Sequence, residues 1–277
     1  MSWRPAGRRD LSALLEFLLP EEALFVPFTS RLRSGAHGYE VHVDVGPGGN
    51  VRHGFLHTSN GLLLPAFSDP APDRRELAQV LGGLRPMVHS IMGIGRCVDA
   101  VEASLPLPST TRVEYFLMTL ARDGRHPVLP PDPPGLVLRR ADTGDTDFLF
   151  PLQKCYELEE VVISPTHFND GQCLRSLRIS LKEQLVYLAE ISGTAVAKAG
   201  TNARGYKVDQ IGGVYTVPSE RDKGLGKAVV SELLKAVFSE KPEACLFVKK
   251  HNRSAIALYE RLGFSPVNDY VISYYGM

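Results

Sequence analysis

The sequence predicts a mixed α/β (α+β) protein built in two parts. Three observations carry that prediction. Segments with the two-residue alternation of strands and segments with the three-to-four-residue spacing of helices follow one another along the chain. The run His126–Gly135 holds five prolines in ten residues. Such a run excludes a helix interior or a central strand and favours extended polyproline geometry, so it predicts a semi-rigid linker. The basic residues also change in kind: every one before Lys154 is an arginine. The expected division is an N-terminal α/β domain over 1–126, a linker over 127–135 and a second domain over 136–277.

In the N-terminal part, residues 11–19 have helical spacing. Residues 39–45 alternate as a half-buried strand does, with Tyr39, Val41, Val43 and Val45 on one face. Gly46-Pro-Gly-Gly-Asn50 turns the chain. Strands are expected over 51–57 and 61–66, a helix over 74–84, a strand over 87–92, a helix over 96–105 and a strand over 113–121. The C-terminal part has a sharper rhythm. A strand over 136–140 leads into helices over 145–159 and 169–180, the second capped by Asn169. Three strands follow, over 184–191, 195–202 and 208–217, joined by Ser192-Gly193 and Arg204-Gly205. A helix over 225–238, a strand over 244–249, a helix over 254–262 ended by Gly263, and a strand over 270–275 complete the order β-α-α-β-β-β-α-β-α-β.

The 277 residues carry 31 basic and 31 acidic side chains, a formal net charge of +0. That balance gives no reason to expect nucleic acid or an anionic membrane as a partner. Cys97, Cys155, Cys173 and Cys245 form no CxxC unit and predict reduced thiols, neither a zinc site nor a disulfide framework. His42, His53 and His57 lack neighbours at metal-ligand spacing, and no metal is expected. The apolar stretch 11–19 contains Glu16 and is followed by Glu21 and Glu22. It is too short and too charged for a span or an export signal, so a cytoplasmic protein is expected.

The most informative segment is Val214–Val229. A strand runs into Pro218, which cannot donate a ladder hydrogen bond. A turn rich in charge and glycine follows, and an apolar-periodic helix starts near Leu225. Such a unit points successive N–H groups into one concavity, and the helix N-terminus adds its positive end, which suits a pyrophosphate. Gly224 and Gly226 permit close backbone approach. Arg221, Lys223 and Lys227 supply charge-assisted contacts. The spacing Arg-x-x-Gly-x-Gly lacks the Gly-Lys-Ser/Thr ending of the phosphate loop and the third glycine of the dinucleotide fingerprint.

Residues Pro218–Ala228 resemble the coenzyme A loop of the GNAT acetyltransferase superfamily, Arg/Gln-x-x-Gly-x-Gly/Ala. Asn252-Arg-Ser-Ala-Ile-Ala-Leu-Tyr-Glu-Arg-Leu-Gly-Phe264 is similar to that superfamily's Asn-x-x-Ala-x-x-Leu-Tyr-x-x-x-Gly-Phe signature. The resemblance covers about 136–277. It implies a GNAT fold with a mixed, splayed central sheet and acetyl-CoA as co-substrate. The implied reaction is an N-acetyltransferase's: direct attack by a primary amine, carried by a small molecule or a peptide. The implied cofactor-binding residues are Tyr215, Thr216, Val217, Arg221, Asp222, Lys223, Gly224, Leu225, Gly226, Lys227 and Asn252. Tyr259 matches the tyrosine that protonates the leaving thiolate, although packing against Ala255 and Leu262 would also explain it. Asn252 would serve equally as a helix cap. A general base is sought among Glu159, Glu160, Asp209 and His251, with Glu160 first because the turn after that helix faces the acceptor groove in similar folds. Gly93-Ile-Gly95-Arg96 echoes the cofactor loop and suggests that the N-terminal domain is a divergent GNAT-like copy without a working site. An inactive CoA-binding sensor or scaffold and a nucleotide-binding protein are the competing expectations, and a homodimer is compatible with the sequence.

Overall fold

The computed structural model describes residues 3–35, 37–123, 135–162 and 165–276. The proline-rich linker lies outside the described residues except for Gly135. The N-terminal half contains β1 (Trp3–Pro5), α1 (Arg8–Leu18), α2 (Val26–Ser34), β2 (Tyr39–Val45), β3 (Val51–Thr58), β4 (Leu62–Phe67), α3 (Arg74–Gly82), β5 (Ser90–Ile94), α4 (Gly95–Ser104) and β6 (Thr111–Ala121). The C-terminal half contains β7 (Leu136–Arg140), α5 (Thr146–Tyr156), a π turn (Glu157–Val161), α6 (Asp170–Glu183), β8 (Val186–Ile191), β9 (Thr194–Arg204), β10 (Val208–Thr216), α7 (Leu225–Glu240), β11 (Glu243–Lys249), α8 (Arg253–Arg261) and β12 (Ser265–Tyr274). Each half therefore follows the same order, β-α-α-β-β-β-α-β-α-β.

Several elements depart from expectation for local reasons. β1 has only three residues, too few to show a period. α2 starts with proline in its first turn, where the missing N–H costs nothing, and ends at Gly35 in the left-handed conformation. β5 begins three residues late, because the amides of His89 and Ser90 both bond to the Gly61 carbonyl at the edge of a turn. The helix expected over 145–159 stops at Tyr156 and widens into the π turn, which carries Glu159 and Glu160. Residues 39–45 are buried on both faces: Val41 and Val43 join the core, and His42 and Asp44 are covered on the other side.

One twelve-stranded mixed sheet runs through the molecule in the order β1-β2-β3-β4-β5-β12-β6-β11-β10-β9-β8-β7. Its centre is an exchange of last strands. β6, from the N-terminal half, pairs antiparallel with β11, from Glu243↔Ala121 to Lys249↔Tyr115. β12, from the C-terminal half, pairs antiparallel with β5, and β6 and β12 pair with each other. The first core cluster accordingly mixes Phe55, Leu63 and Ile91 with Val208, Cys245 and Tyr270. A second tie lies at the β9–β10 hairpin. There the buried carboxylate of Glu22 accepts from the amides of Tyr206 (2.7 Å) and Lys207 (2.6 Å).

Each half thus buries a strand that the other supplies. A chain ended at residue 264 is expected to lose the native near-ultraviolet signal of both halves. Leu117→Ala, at a fully buried position of β6, is expected to cost about 2–5 kcal/mol in a single denaturant transition. Two separate transitions, with only one moved by Leu117→Ala, would contradict this description.

Candidate active site

The sheet opens between β10 and β11. Their parallel pairing runs from Val208↔Glu243 to Ile211↔Leu246 and stops. Beyond that point β10 continues to pair with β9 alone, through Tyr215↔Lys198 and Thr216↔Ala197, after an irregularity between Gly212 and Tyr215. Gly213 sits in the bulge at φ 59°, a conformation that favours glycine. The Val217 amide donates to Val196 O at 2.9 Å, so it faces β9. Alternation along the extended stretch from Tyr215 to Val217 turns the Tyr215 amide the same way and points that of Thr216 into the opening. Of the main-chain groups expected to meet a ligand over 215–217, the opening therefore receives those of Thr216, and Val214 lies in the irregular stretch just before them. The Thr216 carbonyl already accepts from Arg221 Nε at 3.1 Å.

The charged turn connects this open edge to α7. Asp222 (φ 63°) and Gly224 (φ 82°) are both left-handed, which curls the chain so that successive amides converge. Gly224 is the N-cap of α7 and no side chain caps that terminus. The first intrahelical bond is Ala228 N to Gly224 O at 3.0 Å. The amides of Leu225, Gly226 and Lys227 precede it and have no intrahelical partner. A Cβ on Gly226 would make only ordinary contacts, at 3.4 Å to Thr216 Oγ1 and 3.6 Å to Leu258. The protein's own packing does not demand glycine there, so the position suits close approach of an outside group. Lys223 pairs with Glu220 at 3.0 Å on the surface.

The π turn lies across the mouth of the opening. Glu159 accepts from Arg221 Nη2 at 2.7 and 2.8 Å and from the Tyr215 hydroxyl at 3.0 Å. Glu160 accepts from Lys249 Nζ through its main-chain carbonyl (2.7 Å) and its carboxylate (3.1 Å). Arg221, expected to meet a diphosphate, is thus partly engaged by Glu159. Tyr259, on α8, is buried and packs edge-on against Phe264, and burial raises its phenol well above the ordinary range. Tyr156 and Glu160 both act electrostatically on it. Asn252 caps α8, its side chain accepting from Ala255 N at 3.1 Å. Asp209 is fully buried at the far end of β10 and paired with Arg204 at 2.9 Å, which removes it as a candidate base. His251 is exposed beyond β11.

Four residues here were not anticipated. Lys198 is buried, donates to Gly213 O at 2.8 Å and lies 4.3 Å from the centre of the Tyr156 ring. Burial brings its pKa down to about 8, against the pull of Glu157. Burial pushes Tyr156 up to about 12. Tyr115 stands beside Lys249 as its cross-strand partner, so the N-terminal half contributes a side chain to this site through β6. Lys249 ties β11 to the π turn. A lone lysine inside the apolar run Ala195–Gly200 was the available signal for Lys198.

The N-terminal half has the same plan, closed. β4 and β5 pair in parallel only at Leu62↔Ser90 and Leu63↔Ile91. Beyond them, Phe67 O accepts from Arg96 (2.6 Å) and Phe67 N donates to Cys97 Sγ (3.4 Å), so the chain satisfies its own open edge. The helix corresponding to α7 is α3, and Asp73 caps it, accepting from Arg75 N and Glu76 N. A carboxylate occupies the place where an anion would sit. Gly93-Ile-Gly95-Arg96 lies at the β5–α4 junction, which corresponds to Lys249–Arg253 and not to the cofactor loop. A cavity of about 350 Å³ beneath α3, lined by Trp3, His42 and Gln79 among others, shares no residue with the C-terminal site. No group of three or more His, Cys, Asp or Glu side chains among the described residues is arranged to hold a metal ion. No helix among them is long and apolar enough to cross a membrane.

Residues 152–264 match the family model described as Acetyltransferase (GNAT) family, and this segment is a GNAT acetyltransferase domain. The whole chain is similar in fold to an X-ray structure of a Drosophila protein, with a TM-score of 0.72 at 13% identity over 99% of this chain and 98% of the other. A tandem GNAT protein from the clavulanic acid biosynthesis pathway gives 0.61 at 14% identity over 98% and 97%. A GCN5-related N-acetyltransferase from Kribbella flavida gives 0.59 at 16% over 90% and 96%. At such identities the likeness shows the fold, a tandem GNAT arrangement. No curated relative is matched by the sequence.

Lys198 makes stability depend on pH. Its folded pKa of about 8 lies below the unfolded value of 10.5. Between these values the unfolded chain holds a proton that the folded chain has released, so stability rises with pH and falls again as pH drops through 8. The rise is at most about 3 kcal/mol at 1.36 kcal/mol per unit. Unfolding free energies measured from pH 7.5 to 9.5 are expected to climb for the native chain relative to Lys198→Met. Parallel curves would exclude the effect.

Proposed function

We propose that the chain transfers an acetyl group from acetyl-CoA to a primary amine on a small molecule or peptide by direct attack. The observation that supports this best is the continuity between two sets of unpaired main-chain donors, the open edge of β10 and the uncapped N-terminus of α7. Together they suit an elongated molecule with amides at one end and a diphosphate at the other. Acetyl-CoA, when bound, supplies an activated acyl group and a thiol leaving group.

The remaining roles belong to this chain. The turn from Arg221 to Lys227 holds the diphosphate through the amides of Leu225, Gly226 and Lys227, with Lys223 and Lys227 adding charge. Thr216, from the open edge of β10, hydrogen-bonds the pantetheine arm, and the amide group of Asn252 does so from α8. The Val214 amide, beside the bulge at Gly213, stabilises charge on the acyl oxygen. Lys198 holds the Gly213 carbonyl and keeps it from competing at that place. Glu160, oriented by Lys249, takes the proton of the attacking amine. Tyr259 gives a proton to the thiolate. The N-terminal half contributes Tyr115 and the strand β6, and its own copy of the site does not bind the carrier.

Free thiol is expected to appear when the protein is incubated with acetyl-CoA and a panel of primary amines, and calorimetry is expected to show one acetyl-CoA bound per chain. Gly226→Val is expected to abolish binding while leaving the fold intact. Tyr259→Phe is expected to lower kcat about a hundredfold with little change in acetyl-CoA affinity. Because burial raises the Tyr259 phenol, it stays protonated through pH 9, and the native rate is expected to show no alkaline decline from it below that pH. Tight ATP binding at the same turn, with no affinity for any CoA compound, would remove the proposal.

A further inference from the structure

Two adjacent glutamates of the π turn reach opposite banks of the opening. Neighbouring residues in a helical turn point in different directions. Glu159 reaches the β10 side, where it holds Tyr215 and Arg221. Glu160 reaches the β11 side, where it holds Lys249. The turn is therefore fastened to both strands across the gap, and the fastening on the β10 side lands on the first residue of the Arg-x-x-Gly-x-Gly loop.

The Glu159 contacts are specific. Oε1 accepts one bond from Arg221, and Oε2 accepts from Arg221 and from the Tyr215 hydroxyl. The Arg221 guanidinium also lies 5.5 Å from the Tyr215 ring centre, and its Nε holds Thr216 O. One side chain thus fixes the direction of Arg221 at the start of the cofactor loop, and through Arg221 it fixes the main chain at the end of β10. Both partners are about two-fifths exposed, with side-chain exposures of 42% and 41%. Exposed pairs of this kind contribute little to folding stability, so their loss would show in the site and not in the fold.

We propose that Glu159 is a positioning residue: it sets the cofactor loop from the acceptor side of the gap and does not itself take the amine's proton. The proposal rests on the acetyl-transfer reading above. It differs from the role of Glu160, whose contacts all lie on the other bank. Acetyl-CoA affinity, not proton removal, is the quantity that Glu159 governs.

The test uses the full-length chain with Glu159→Gln, Arg221→Gln and the double variant. Acetyl-CoA affinity is read by calorimetry, and acceptor KM, kcat and the pH–rate profile are read with one amine. Glu159→Gln is expected to weaken acetyl-CoA binding about five- to tenfold, with acceptor KM and the acidic limb of the profile unchanged. The double variant is expected to bind no more weakly than Arg221→Gln alone, since Glu159 acts through that arginine. Arg221→Lys keeps the charge but not the fork, and is expected to restore affinity only in part. The proposal is overturned if Glu159→Gln leaves acetyl-CoA affinity unchanged, if it removes the acidic limb, or if the two losses add in the double variant. Native protein that binds no acetyl-CoA would overturn the acetyl-transfer reading as well, whereas native binding with equal binding by the variants would overturn only this inference.

Discussion

Backbone groups inside a protein need partners, and the parting of β10 from β11 leaves a row of them without one. Everything at the C-terminal site is arranged around that deficit. The pairing ends after Ile211↔Leu246, the bulge at Gly213 turns the strand, and Lys198 fixes the bulge carbonyl. An uncapped helix N-terminus continues the same row of donors beyond the strand. A fold that leaves this many donors in one line pays for it unless a ligand arrives to accept from them. The tie between Glu160 and Lys249 and the tie between Glu159 and Arg221 keep the two banks at a fixed separation in the meantime.

The N-terminal half shows the same fold without the deficit. Its open edge is met by Arg96 and Cys97, and its helix terminus is met by Asp73. The contrast is informative, since strand order and helix placement are shared and the partners of the main chain differ. The closed half nevertheless holds the open one together. Its β6 lines the outer side of β11, Tyr115 stands beside Lys249, and Glu22 secures the β9–β10 hairpin. β12 is given in return, so the exchange makes one sheet of two repeats.

Most of the element order was legible because it rests on local pattern. β2, β9 and α7 alternate or repeat plainly between glycine-marked turns, and the loop from Arg221 to Lys227 is marked by two glycines among charges. The exchange of β6 and β12 was not legible, because an alternating strand carries no sign of which neighbour it will join. Lys198 and Lys249 sit in strands, where a lysine suggests solvent, and only the tertiary fold buries one and pairs the other with the π turn. Glu159 and Glu160 were placed at a helix end, but the widening into a π turn, which sends them to opposite banks, depends on the strands beneath. Asp209 looked like a base from its place at the start of the central strand, and the fold put Arg204 against it at the end remote from the opening.

Amide hydrogen exchange with and without acetyl-CoA tests the central claim most directly, because it reports on the main-chain groups themselves. Slowed exchange is predicted at Val214 and Thr216 and from Leu225 to Lys227, with no change at Tyr215 and Val217, whose amides already face β9, and none in the loop before α3. Protection confined to the N-terminal half, or absent from both Thr216 and the first turn of α7, would contradict the account.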